Sequence, residues 1–519
     1  MCGRAAGDRT GPRQRVRLLQ RLGDRRTIPM NFLRSNLAVR RTGDHRHMMW
    51  TTFAVGALAA IVATLLITQR MHGVLLLLNV ALMLAIAAIR PRTPTVRWFR
   101  IFLFFILGVF PLWQLLAVDE IYLRLLPQDD PAVALWYFLS LAGVLVVKLT
   151  LDLNASRLGN ARLPFEPGMR VSSLAYLFAL LSLGALAFIY VKLGGYARIV
   201  ELYDTRVEQT GTDNDPFRGL GVIQALANTS PLWIFVCLMM RRRRSVVLTA
   251  VAFVQLGVLG WLSSGIAGSR QGVVFVLVFA LFIHHSFIAR IRPRTIRIAG
   301  IGVALTGLLL MPLKFGLGYD DIANLSQRFA EQRDLELSMG PVSVFLFRDL
   351  SRFDVQALAI DTVTQPTYAY PMGRSFVGAI ASIVPSALWS DRPDTFALEK
   401  SEIMRDFERT ALDKTTLLFG MPGEFLVNFG IAGFVLSFAI PAILLVVQNN
   451  TGIRSRRWLP LQAVMWPLPF LFFLFDSNVM VYYTVRWILL FGLPMAFVLR
   501  QPRRSRQTAI DTLAPPIRG

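Results

Sequence analysis

Four short constellations in this sequence combine residue types that bind anions or move protons. The first is Gly268-Ser269-Arg270-Gln271-Gly272. Its glycines allow a tight turn, and a helix beginning near Gly272 would offer backbone N–H groups beside the Arg270 guanidinium, the composition of an anion site. A plain turn whose arginine snorkels to water fits the same residues. The second is Arg348 and Arg352, spaced i, i+4 and so on one face of any helix that holds both. Two adjacent guanidiniums need a negative group between them. Asp349 and Asp354 would give a structural ion-pair network, and a diphosphate would give a ligand for two planar forks.

The third constellation is Trp389-Ser390-Asp391-Arg392-Pro393. It reads as an aromatic at headgroup depth followed by a cation at phosphate level, or simply as an interfacial anchor. The fourth runs Gly423-Glu424-Phe425-Leu426-Val427-Asn428-Phe429-Gly430, with Gly433 beyond. Glu424 and Asn428 share one helical face just inside an apolar run. An ionisable group there is costly, so Glu424 is expected to be a general base, a hydrogen-bonding anchor or the partner of an outer arginine.

The elements that must position these residues are apolar. The chain is 54% hydrophobic with a mean hydropathy of +0.51, too apolar for a soluble domain of this length to cover itself. Runs near membrane-crossing length fall at 50–67, 73–89, 99–118, 132–151, 171–193, 219–240, 246–262, 272–289, 297–313, 422–447, 459–475 and 479–499, about twelve spans. The fold class is all-α, a polytopic helical membrane protein. The formal charge of +23 falls in short clusters between the runs, among them Arg90 to Arg100, Arg241 to Arg244, Arg290 to Arg297 and Arg454 to Arg457. With the N-terminus inside, every such cluster lands inside and the acidic loops land outside. This is the positive-inside pattern, and it argues against a nucleic-acid partner. Both termini are then cytoplasmic.

The sequence divides accordingly into a basic tail (1–47), an apolar block (48–313), one long outer segment (314–421), a second apolar block (422–499) and a C-terminal tail (500–519). The tail 1–47 is expected to be disordered, and it lacks the apolar stretch and cleavage site of a signal peptide. In the outer segment, 341–363 has the apolar spacing of a helix, which would carry Arg348 and Arg352 side by side. Arg374 to Leu388 is apolar, small and too short to span, so it is expected to lie at the interface or re-enter. Cys2 and Cys237 are too few for a disulfide framework, and the five histidines are too dispersed for a zinc site; neither a metal nor a cofactor is expected.

On these residues the chain resembles the Wzy-type O-antigen and oligosaccharide repeat-unit polymerases. The resemblance rests on Gly268 to Gly272, on Arg352-Phe353-Asp354 in a long outer loop, on Trp389-x-x-Arg392-Pro393, and on Gly423-Glu424-Phe425-x-x-Asn428-Phe429-Gly430-x-x-Gly433. It covers roughly 260–440, and Arg392 stands where that family often has lysine. The resemblance implies a GT-C-like or Wzy-like architecture in the bacterial inner membrane. It also implies metal-independent transfer of a growing glycan from undecaprenyl diphosphate to the next lipid-linked repeat, with membrane lipid, a flippase and a chain-length regulator as partners. The leaving group is an anion, so Arg270, Arg348, Arg352 and Arg392 become candidates for the diphosphate. Glu424, Asp354 and Asp391 become candidates for the base, and Trp389, Asn428 and Arg374 for other substrate contacts. A transporter or flippase for an anionic solute, an O-antigen ligase, or another lipid-phosphate-dependent glycosyltransferase remain open. The related ligases use a histidine in their long loop, and 314–421 contains none.

Overall fold

Where long apolar runs meet a proline or a small polar residue, the chain starts a helix. Asp130 shows the pattern: its Oδ1 accepts the Ala132 N–H at 2.7 Å and Pro131 occupies the first turn, so a helix opens there. A computed structural model describes residues 70–116, 130–158, 170–196, 198–199, 202, 220–240, 245–265, 270–289, 291, 351–384, 389, 391–393, 395–396, 403, 418–454 and 459–500. All of them belong to one unit, Leu66–Gly519. In chain order the elements used below are α1 (Arg70–Ala87), α2 (Pro94–Leu115), α3 (Pro131–Leu153), β1 (Arg170–Val171), α4 (Leu174–Lys192), α5 (Gly221–Met239), α6 (Val246–Gly260), α7 (Arg270–Ile283), α8 (Phe353–Val363), α9 (Arg374–Ala381), α10 (Gly420–Ser437), α11 (Ala439–Arg454), α12 (Leu459–Met465), α13 (Leu468–Leu471), α14 (Ser477–Val498) and β2 (Leu499–Arg500).

Among the described residues six helices are long and apolar enough to cross a membrane: α2, α3, α4, α5, α10 and α14. The chain is therefore a multi-pass helical membrane protein. Four further apolar helices, 73–87, 247–263, 276–288 and 439–450, are shorter. The first three match expected runs to within a few residues, whereas the run 422–447, expected as one span, is divided at Phe438 into α10 and α11. The run 459–475 is not one helix. Pro467 and Pro469 divide it into α12 and α13, since a proline ring removes a hydrogen bond and collides with the preceding turn. The runs 50–67 and 297–313 lie outside the described residues.

Contacts between sequence-distant residues fit the alternation that the charge pattern predicts. On one side, Arg100 Nη1 donates to Ala87 O and Ile89 O at 3.4 and 3.3 Å, Arg92 lies 3.7 Å from Asp152, and Asn449 Nδ2 donates to Arg157 O at 3.0 Å. The antiparallel pair β1–β2 sets Arg170 opposite Arg500. On the other side, Ser351 Oγ donates to Gln114 Oε1 at 3.3 Å and Trp136 Nε1 to Gln356 Oε1 at 2.8 Å.

The packing forms two large apolar clusters. One gathers α1, α2, α3, α8, α10 and α11 around Trp136, Tyr137, Phe353 and Phe438. The other gathers α5, α7, α12 and α14 around Trp233, Phe279, Trp487 and Phe491. Helix α8 comes from the expected outer segment, yet it is part of the first cluster. Phe353 meets Trp136 edge-on at 4.8 Å between ring centroids and Tyr137 at 5.5 Å. Several helices contain wide π turns, which push a carbonyl off the helical ladder. Asn79 Nδ2 reaches Gly108 O at 3.0 Å, Tyr190 Oη reaches Leu262 O at 3.0 Å, and Trp233 Nε1 reaches Leu490 O at 3.3 Å. Each exposed carbonyl thus becomes a tie to a neighbouring helix.

Candidate functional site

Helices α10 and α14 begin at the same end of the bundle, and each caps the other. A helix start leaves backbone N–H groups without intrahelical partners and carries partial positive charge. Asp476 stands at the N-cap position of α14, but its Oδ1 accepts the Phe419 and Gly420 N–H groups at the start of α10, both at 3.0 Å. Glu424, one turn into α10, accepts the Ser477 N–H at the start of α14 through Oε2 at 2.6 Å. Two helix starts are therefore satisfied by carboxylates that each helix lends to its neighbour.

Glu424 also recruits a third helix. Its Oε1 accepts from Ser477 Oγ at 2.5 Å and from Ser375 Oγ of α9 at 2.6 Å. Asn428, four residues on, accepts the Gly373 N–H through Oδ1 at 2.9 Å. Its Nδ2 donates to Ser375 Oγ and to Glu424 O, both at 2.9 Å. Glu424 and Asn428 are fully buried. The i, i+4 pair read from the sequence thus does lie on one face. Its partners are two serines and a backbone amide, 49 to 55 residues away along the chain.

The clamped stretch carries backbone strain. Met372 has φ 51° and Gly373 has φ 90°, two successive residues in left-handed conformations. Glycine takes that conformation without penalty, whereas methionine does not, so the turn is held by its surroundings. Met372 and Arg374 point outward while Ser375 points in. Along α9 the small residues Ser375, Gly378, Ala379 and Ala381 face the protein, and Val377 and Ile380 face out. The result is an exposed guanidinium at the head of a short helix with an apolar outward face. Arg392 Nη1 donates to Val384 O at 3.0 Å, which returns the Trp389–Arg392 stretch to the far end of α9. At 1.5 Å per residue the two ends of α9 are on the order of 12 Å apart.

Helix α10 is broken within the same motif. Gly430 has φ 69° and ψ −163°, a conformation open essentially to glycine alone. A Cβ there would sit 3.2 Å from Tyr370 Oη. Tyr368 Oη donates to Val427 O at 3.1 Å and Tyr370 Oη to Val363 O at 2.9 Å, so two tyrosines preceding α9 brace the break. Phe376 stacks on Phe429 with centroids 6.0 Å apart.

The remaining expected site residues are placed differently. The helix expected over 341–363 starts only at Phe353 in its described part. Arg352 precedes it with φ −125° and ψ 9°, so the side-by-side helical arrangement with Arg348 does not extend through Arg352. Its guanidinium is buried, donating to Leu474 O from Nε and Nη2 at 3.3 and 3.2 Å and to Ser351 O from Nη1 at 2.9 Å. Asp354 accepts the Val355 N–H in the first turn of α8 at 2.8 Å. Trp389 and Asp391 are exposed and Arg392 is half-buried. Arg348 lies outside the described residues, and of Arg270, at the start of α7, only the backbone is described. At the other end of α8, burial first and the negative charge of Asp130 second raise the Asp361 carboxyl above its ordinary range.

Sequence reasoning missed Ser375, Ser477 and Asp476. One signal was available: Asp476-Ser477-Asn478 is a polar triplet set between two apolar runs. Among the described residues no three His, Cys, Asp or Glu side chains gather as metal ligands would. Comparison with protein-family models, with curated proteins and with solved structures gives no match to this chain.

Proposed function

We propose that the protein polymerises undecaprenyl-diphosphate-linked oligosaccharide repeats at the outer face of the bacterial cytoplasmic membrane, building O-antigen, capsule or exopolysaccharide. The observation that carries this reading is the head of α9, where an exposed arginine on a fixed turn adjoins an outward apolar face. A cation beside an apolar strip fits an amphiphile with an anionic head and a hydrocarbon tail. In the reaction, an acceptor hydroxyl oxygen of one lipid-linked repeat attacks the anomeric carbon of the growing chain. The bond from that carbon to the diphosphate breaks, and undecaprenyl diphosphate leaves with the electron pair. Arg374 stabilises the charge that develops on the leaving group. Asp391, the exposed carboxylate of the three expected candidates, takes the hydroxyl proton. Glu424 serves the fold, since donors already occupy both its oxygens.

Deleting the gene tests the reading. Single lipid-linked repeats should accumulate and long chains vanish, and an unchanged chain-length ladder would sink it. One feature favours a second reading, as a transporter: the break at Gly430 in a membrane-length helix is a device transporters use to line a substrate path. Solute uptake by vesicles holding the purified protein, without glycosyl transfer, would select that reading instead.

A further inference from the structure

We infer that Asn428 and Glu424 are positioning residues for Arg374, so that α10 sets the direction from which the guanidinium meets a lipid diphosphate. This rests on the reading that Arg374 contacts that group. The geometry is specific to residues 373–375. Asn428 fixes the backbone before Arg374 through the Gly373 N–H, and Glu424 and Asn428 together fix the side chain after it through Ser375 Oγ. The left-handed pair Met372 and Gly373 needs such a restraint to persist. The same carboxylate joins α14 through Ser477, so the turn is referenced to two spanning helices. A site built this way holds its exposed cation on rigid elements while leaving the side chain outward.

Full-length protein in lipid nanodiscs, titrated with undecaprenyl diphosphate as the probe, provides the test. Arg374→Ala should weaken binding by at least ~10-fold, the scale of losing a charge-assisted contact. Asn428→Ala should weaken it by ~3- to 10-fold. The double variant should bind no more weakly than Arg374→Ala alone, because Asn428 acts only through Arg374. Asn428→Asp keeps the acceptor for the Gly373 N–H and should recover part of the loss. Losses that multiply in the double variant, or wild-type binding by Asn428→Ala, would overturn the inference.

Wild-type binding by Arg374→Ala would overturn the diphosphate reading and leave the clamp to a second measurement. Arg374→Cys in intact cells is labelled by a membrane-impermeant maleimide, with and without Asn428→Ala. A several-fold change in labelling rate supports positioning, and an unchanged rate refutes it.

Discussion

Arg352 and Arg374 stand at the heads of two consecutive helices, α8 and α9, and the two heads are built differently. At α8 the guanidinium is turned inward, where Leu474 O and Ser351 O receive its donors, and Phe353 beside it packs against the touching rings of Trp136 and Tyr137. At α9 the backbone is what is held. Gly373 and Ser375 are tied to Asn428 and Glu424, and the arginine between them stays exposed. A buried guanidinium bonded to main-chain carbonyls acts as a strut, because it ties two backbone segments together. An exposed guanidinium on a fixed backbone faces outward, and the main chain beneath it has little freedom left to lose when an anion is met. Residue type alone does not separate the two. What separates them is that one side chain is buried against carbonyls, whereas the other is exposed above a main chain tied on both sides.

Substituting each arginine by alanine should break the comparison in opposite directions. Arg374→Ala should lower polymerisation by about 10²–10³-fold, as removal of a contact to developing negative charge does, with protein level and thermal stability unchanged. Chain-length ladders, membrane immunoblots and heating in detergent measure the three quantities. Arg352→Ala should instead cost about 3 kcal/mol of stability by leaving Leu474 O and Ser351 O without these donors, seen as loss of folded protein on heating in detergent. Arg352→Lys should not restore it, since one ammonium cannot reproduce the spread of Nε, Nη1 and Nη2. If Arg352→Ala is fully folded and inactive, the two heads share one role and the contrast falls.

Gly430→Ala sharpens the same contrast one layer further back. Its φ and ψ exclude a side chain, and the new Cβ would crowd Tyr370. The substitution should cost about 1–3 kcal/mol and loosen the tyrosines that brace the turn before Arg374. Activity should fall while the α8 core, reported by protection of residues 353–360 in hydrogen exchange, stays intact. Equal loss of protection at both heads would show that they do not behave as separate units.

The long apolar helices and the Glu424–Asn428 face were legible because each is a local pattern: hydropathy over a window, two polar residues one turn apart. The broken run 459–475 was also legible in principle, since its prolines are in the sequence. The fate of Arg352 was not, because the acceptor that turns it inward, Leu474 O, lies 122 residues away in the turn after α13. The cross-capping of α10 and α14 was hidden for a related reason. Asp476 reads as a cap for its own helix, and only packing shows that it caps another. The strained turn at Met372 left no signal, since methionine is not a residue that marks left-handed backbone.

The smallest expected effect lies at the opposite end of α8, where the helix head has no influence. Asp361 is partly buried, and the negative charge of Asp130, whose carboxylate caps α3, adds to the cost of ionising it. Its carboxyl is raised in the folded protein relative to the unfolded chain, so ionisation opposes folding. Below the unfolded value both states are protonated and there is no penalty. As pH rises from there through the folded value the penalty accrues, and above that value it is constant. Asp361→Asn should therefore raise the melting temperature by about a degree or two at neutral pH, with no gain near pH 3. A gain that persists at low pH would mean that the carboxylate's shape, not its charge, is misfitted there. A loss at neutral pH would mean that Asp361 holds α8 in place, and the strut at Arg352 would no longer be the main restraint on that helix.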